Sequence, residues 1–175
     1  PYDVLDLLTQ IVNKSLVVVI EHSQSGETRY RMLETIRQYS QEKFLEAESS
    51  EIIRNQHLAY FVKLAEQAEP ELYHSNQLFW LNKLEVELDN YRMAMEWALA
   101  TDVEAGLRIA SIPYRFWTIR GYIQELGGWL RQLLDGYGTV DTMRTRALAV
   151  YYYCSFLQGN PSEATRTAEQ SLQSA

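Results

Sequence analysis

The strongest constraint on what this chain can fold into is a pattern that returns after 38 residues. Gly121, Glu125 and Leu134 in GYIQELGGWLRQLL come back as Gly159, Glu163 and Leu172 in GNPSEATRTAEQSL, and Leu126 maps onto Ala164. An aromatic-rich helical pattern precedes each glycine, Ile109 to Ile119 in the first copy and Ala147 to Leu157 in the second. Each unit therefore reads as helix, glycine turn, helix, because glycine adopts the left-handed backbone of a tight reversal without a Cβ clash. Units of this kind bury their apolar faces by stacking on one another. Only eight glycines and four prolines occur in 175 residues, which disfavours a turn-rich β-sandwich and long disordered linkers.

The first third of the chain reads differently. Val4, Leu7, Leu8, Ile11 and Val12 form a helical stripe over Asp3 to Asn13. The β-branched run Ser15 to His22 follows, then a turn signal, SQSGE, and then TRYRML, in which Arg29 and Arg31 are expected to face outward and Tyr30 and Met32 inward. Helix followed by hairpin is the closing half of a winged helix. Beyond Glu34 the periodicity is helical throughout. One helix carries Ile36, Tyr39, Ser40, Lys43 and Phe44, and Ser50 is placed to cap the next, which carries Ile53, His57, Tyr60, Phe61, Leu64, Ala65 and Ala68 up to Pro70. A single long helix is expected from Asn76 to Ala100, with Leu81, Leu84, Leu88, Tyr91, Met95 and Ala98 as its apolar seam.

Charge and cysteine usage narrow the function classes. A net charge of −7 opposes binding to a polyanion, since nucleic-acid affinity rests on neutralised phosphates. Residues 1 to 48 hold five Lys/Arg against eight Asp/Glu, so direct DNA contact through Arg29, Arg31 and Arg37 is disfavoured even at the hairpin. The single cysteine, Cys154, sits among tyrosines and reads as a buried thiol in a reducing compartment. No apolar run approaches the roughly 20 residues that span a bilayer, and a cytoplasmic location is expected. The chain starts at Pro1 and stops within a helical pattern, which reads as a piece of a longer protein.

Three stretches in order, YRMLETIRQYS, EVELDNYRMAMEWAL and FWTIRGYIQELGGWL, resemble the segment downstream of the nucleotide-binding domain in bacterial STAND ATPase transcriptional regulators of the AfsR, MalT and LuxR-like kind. The resemblance covers nearly the whole chain. It implies a mainly α fold: residues 1–33 as the end of a winged helix that closes an NB-ARC ATPase, 34–102 as linker and long helices, and 103–175 as tetratricopeptide-like repeats of an α-α superhelix. It also implies signal sensing through protein contacts. The family's winged helix commonly ends in a Met-His-Asp type motif whose histidine approaches the phosphate of ADP. The matching residues here are Met32, Leu33 and Glu34, and Leu33 has no donor for phosphate. No GxxxxGK[ST] loop occurs either, so ATP or ADP is expected only upstream of Pro1 and no cofactor within this stretch.

No catalytic or metal-binding set can be assembled from spacing, and an enzyme is the least favoured class. Glu85 and Asp89 share a helix face, but Arg92 stands three residues from Asp89, which makes a surface ion pair the simpler account. His22, His57 and His74 lack a partner at zinc spacing, and His57 lies on the apolar face of its helix. The aromatics around the repeat are the candidates for binding. Tyr114, Trp117, Tyr122, Trp129 and Tyr152 are the residues expected to contact a protein partner, the parent's own ATPase domain among the candidates, or to line a pocket for a small-molecule inducer. Filling the core between repeats is the competing role.

Overall fold

The computed structural model describes residues 4–21, 28–46, 50–160 and, beyond those, 162, 165, 166 and 169. Asp3, the hairpin turn with His22 and Gly26, and Glu163, Ala164 and Leu172 of the second repeat lie outside the described residues. Among the described residues the fold is mainly α with one antiparallel β-hairpin. It divides into two compact units, residues 1–51 and 52–175.

In the first unit, α1 (Val4–Asn13) leads into β1 (Val17–Glu21), which pairs with β2 (Thr28–Met32) in the register Val17 to Met32, Val19 to Tyr30 and Glu21 to Thr28. The helix α2 (Glu34–Glu46) completes it. The passage from α1 to β1 is closed by backbone alone: the Ser15 N–H donates to Val12 and the Leu16 N–H to Ile11, at 2.8 and 3.0 Å. Ser15 takes a left-handed conformation there, φ 55°, without being glycine. The expected inward turn of Tyr30 and Met32 does not hold, since they are 47% and 40% exposed. They share a face of the hairpin with Val17, which is buried, and Val19, which is not. α1 packs on β1 but covers only the start of that face.

The second unit is a stack of helices: α3 (Ser50–Glu71), α4 (Gln77–Val86), α5 (Leu88–Thr101), α6 (Val103–Ser111), α7 (Tyr114–Ile119), α8 (Ile123–Gly136) and α9 (Thr142–Leu157). Ser50 is the first helical residue of α3 rather than its cap. Along α3, Phe61, Leu64, Ala65 and Ala68 are buried as their spacing requires, together with Leu58, whereas Ile53 and Tyr60 stay outside. The single helix expected from Asn76 to Ala100 is two, interrupted at Glu87, whose N–H tightens onto the Leu84 carbonyl at 3.1 Å. The apolar seam survives the interruption: all six residues from Leu81 to Ala98 are buried. A helix also breaks at Ile112 and Pro113, where proline has no N–H to continue the ladder. α5 packs on α6 and α8, α6 on α8 and α9, and α8 on α9.

The repeat is visible at the level of single hydrogen bonds. At the end of α7 the Gly121 N–H donates to Thr118 and the Tyr122 N–H to Trp117, at 3.3 and 2.7 Å. At the end of α9 the Gly159 N–H donates to Phe156 and the Asn160 N–H to Ser155, at 3.0 and 2.9 Å. Every atom pair is displaced by the same 38 residues, and both glycines have positive φ, 84° and 75°. These are Schellman closures, which satisfy the last carbonyls of a helix while reversing the chain. The helix starts are also alike, with Asp102 accepting from the Ala105 N–H and Asp141 from the Arg144 N–H.

A Cβ at either glycine would meet no atom within 4 Å, so the cost of a side chain there is conformational alone. Gly121→Ala and Gly159→Ala are therefore each expected to lower stability by roughly 1–2 kcal/mol in urea denaturation followed by circular dichroism. Ser15→Gly should act in the opposite sense, raising the stability of the first unit by up to about 1 kcal/mol, since it relieves a left-handed non-glycine residue.

Candidate functional site

The break at Pro113 and the reversal at Gly121 set the positions of the aromatic candidates. Trp117 is fully buried, with its ring edge-on to Phe116 at 5.5 Å, Tyr122 at 6.3 Å and Tyr91 at 6.5 Å. Phe61 of α3 extends this chain of rings through Tyr91 at 5.0 Å. Trp117 therefore leaves the set of surface candidates: a side chain with no accessible area cannot touch a partner, and its role is in the core. Tyr122 is half-buried, holds its ring against Phe116 and Trp117, and donates its hydroxyl to Glu85 of α4. That bond, ahead of burial, pushes the Tyr122 hydroxyl above its ordinary range. Trp129 is half-buried one turn from Glu125, to which its indole N–H donates at 3.4 Å.

Of the five candidates only Tyr152 is exposed, and Tyr114 is half-buried like Tyr122 and Trp129. Tyr114 opens α7, and its hydroxyl meets that of Tyr73 at 3.1 Å, while its ring stands edge-on to Tyr153 of α9 at 6.2 Å. Burial, followed by the Tyr114 hydrogen bond, pushes the Tyr73 hydroxyl up to about 12. Arg115 lies with its guanidinium over the Tyr73 ring, 4.5 Å from the centroid. Tyr152 is 45% exposed on α9. The structure thus brings Tyr114, Tyr73, Tyr153 and Arg115 to one edge, and places Trp117 in the interior. Tyr73 and Arg115 escaped the sequence reading because Tyr73 sits in the loop after α3, 41 residues from Tyr114.

The charged residues serve the fold. Arg92 pairs with Asp89 at 2.8 Å, as its spacing requires, and also grips both oxygens of Glu125 on α8 at 2.7 and 2.8 Å. That double hydrogen bond holds the Glu125 carboxyl below its ordinary value. Glu85 is shared between the Tyr122 hydroxyl and an ion pair with Arg120 at 3.1 Å. Arg108 pairs with Glu66, and Arg146 with Glu69, which ties α6 and α9 to α3. Among the described residues no group of three or more His, Cys, Asp or Glu is placed to hold a metal ion. Cys154 is buried, and burial pushes its thiol up to about 11, far from a reactive thiolate at neutral pH. At the position of the phosphate-facing histidine in the family the chain resembles, Leu33 is 51% exposed and carries no donor. Glu34 beside it is engaged locally by Arg37 and Gln38 at 2.8 to 3.0 Å. These residues do not fit a nucleotide.

Against this geometry, the chain is similar to three provisionally named HTH-type transcriptional regulators of mycobacteria, one from Mycobacterium bovis (strain ATCC BAA-935 / AF2122/97) and two from Mycobacterium tuberculosis (strains CDC 1551 / Oshkosh and ATCC 25618 / H37Rv). The identity is 32% over 155 residues, covering 85% of this chain. It spans only 17% of each relative. No protein-family model matches the chain, and no solved structure does. No described helix is long and apolar enough to cross a membrane.

Two outcomes separate core from surface. Trp117→Ala should cost about 3–5 kcal/mol, as for other large aromatics removed from a packed core, and should abolish cooperative unfolding of the second unit if that exceeds its stability. His57 is half-buried against Phe61 at 4.7 Å, and burial holds its imidazole below 6.5. A base whose folded pKa is lowered binds its proton more readily when unfolded, so this contribution is complete above about pH 6.5 and is lost as pH falls below it. Thermal melts of His57→Gln should show a flatter pH dependence between about pH 5 and 6.5 than those of the parent chain.

Proposed function

We propose that this chain is a non-catalytic interaction module of a longer, ATP-dependent transcriptional regulator of the STAND type. In this reading residues 1–33 close the winged helix of an upstream NB-ARC ATPase, 34–102 are linker and long helices, and 103–175 belong to a tetratricopeptide-like array. The observation that carries it is the 32% identity to HTH-type regulators over 85% of this chain, which occupies 17% of their length. A segment that makes up so little of such proteins, and whose polar residues are committed to holding helices together, is suited to contact and relay rather than to chemistry. ATP and its chemistry are assigned to the upstream domain, and the protein to the cytoplasm. Within the second unit the module presents Tyr114 and Tyr152 to a partner, the parent's own ATPase domain being the first candidate, so that docking holds the ATPase off and release permits activation.

Small-molecule sensing is the weaker reading. It needs aromatics lining an open concavity, whereas Phe116, Trp117 and Tyr91 are packed on one another. DNA contact through the hairpin conflicts with the charge of residues 1–48, although the relatives carry the name HTH-type.

The test is binding between this chain and the parent's separately produced nucleotide-binding region. Tyr114→Ala with Tyr152→Ala should weaken that complex at least tenfold while circular dichroism stays unchanged. Equal binding by parent chain and double variant, or no complex at any nucleotide state, would contradict the docking. A gel shift with duplex DNA at 50 mM salt should show no retention, and retention that vanishes at 200 mM would return the hairpin to DNA recognition.

A further inference from the structure

The edge formed by Tyr73, Tyr114 and Arg115 has donors in excess of acceptors. When two hydroxyls meet, one donates to the other, so the Tyr73 and Tyr114 pair keeps one O–H free. The Arg115 guanidinium carries five N–H groups and, among the described residues, pairs with no carboxylate. Its Nε is buried without any hydrogen-bond partner, so the group is laid down on the Tyr73 ring rather than extended into water. The buried Nε is shared with Arg120, Arg144 and Arg146, but the lack of a carboxylate partner is not: Arg92, Arg108, Arg120 and Arg146 are each held by a glutamate of a facing helix. The acid that acts on Tyr73 is Glu69, and Glu69 is engaged by Arg146. Beside this corner α9 exposes Tyr153 by 43% and Phe156 by 59%, three residues apart and so adjacent on the helix surface.

We propose that Tyr73, Tyr114 and Arg115 form a receptor for a carboxylate side chain on an acidic peptide segment of a protein partner, with Tyr153 and Phe156 receiving an apolar residue of the same segment. With its Nε buried, the planar guanidinium takes both carboxylate oxygens through its two terminal nitrogens, and the free tyrosine O–H adds a third donor. The fixed position of Arg115 on the ring lowers the ordering cost of binding. The net charge of −7 opposes the approach of an acidic peptide, so recognition rests on this local corner. The assignment rests on the proposed role of the second unit as an interaction module and names the chemistry of its partner.

The probe is a fluorescein-labelled peptide, Glu-Glu-Leu-Glu-Glu-Leu-Glu-Glu, titrated with the full 175-residue chain in fluorescence anisotropy. Saturable binding is expected, with at least a tenfold loss for the all-Gln peptide and for Arg115→Ala, a two- to fivefold loss for Tyr114→Phe, and no change for Arg131→Ala, an exposed arginine elsewhere on α8. Equal affinity for the Gln peptide, equal loss in Arg115→Ala and Arg131→Ala, or no binding at millimolar chain would overturn the proposal. So would displacement of the peptide by glutarate at the same carboxylate concentration, which would mark a small-molecule site. Arg115→Lys, which keeps charge but not the fork, should recover less than half of the lost affinity. If Arg115→Ala still binds the parent's ATPase region as the unsubstituted chain does, the carboxylate receptor falls and the module reading stands.

Discussion

The hydrogen bond from the Tyr122 amide to the Trp117 carbonyl, 2.7 Å long, is the constraint on which the second unit depends. It requires the left-handed backbone that Gly121 supplies, and it brings the two residues it joins into ring contact at 6.3 Å. One closure therefore turns the chain from α7 into α8 and seals the apolar side of that turn. Because Tyr122 is held there, its hydroxyl reaches Glu85 on α4, and Glu125 a few residues on reaches Arg92 on α5. The identical closure at Gly159 shows that the same device ends the next unit, although there Ser155 and Asn160 replace the aromatic pair. The backbone geometry of the repeat is kept while its packing chemistry changes.

Side chains rather than shared backbone contact join α3 to the stack. Phe61 enters the ring system through Tyr91, and Glu66 and Glu69 pair with Arg108 and Arg146. These pairs are about one-third exposed, so each adds little stability on its own. Their value is in orientation: a helix carrying two glutamates at i and i+3 can meet arginines on two different partners in only one rotation about its axis. The interior is less well served in hydrogen bonds. The Tyr91 hydroxyl and the Trp117 indole N–H are both buried without a partner. Such groups carry a desolvation cost, and two of them next to one another mark the ring system as a place where packing is favoured over polar satisfaction.

Much of this fold was legible in the sequence, and the reasons are specific. The hairpin followed from a β-branched run, a turn signal with glycine and an alternating run, and the buried seam from Leu81 to Ala98 followed from steps of three and four. The 38-residue repeat pointed to the two positive-φ glycines before any coordinate. What was missed depended on contacts between residues distant in sequence. The interruption at Glu87 leaves the apolar phase intact, so periodicity could not show it. Tyr30 and Met32 alternate as an inward face should, but alternation reports which residues share a face and not whether another element covers it. Trp117 and Tyr152 both lie on aromatic-rich helices that precede a glycine turn, yet one is fully buried and the other nearly half exposed, because Tyr91, Phe116 and Tyr122 pack on the first and nothing described covers the second.

The distribution of positive charge connects these points to function. An acidic chain that spends its arginines on internal glutamates leaves its surplus carboxylates facing water, and such a surface repels nucleic acid along most of its length. A basic group that is held in place with no acid opposite it, as Lys83 also is over Trp80, departs from that pattern. Arg115 is such a group, fixed on Tyr73 at the edge where α9 exposes its aromatics. Stabilising the stack alone would favour a glutamate opposite it, as four other arginines of the unit have. Its absence leaves a local site of opposite sign on an acidic surface, which an acidic partner can occupy only through close fit at that corner. Such a surface discriminates by contact rather than by long-range attraction, a property suited to a module that must release its partner as well as bind it.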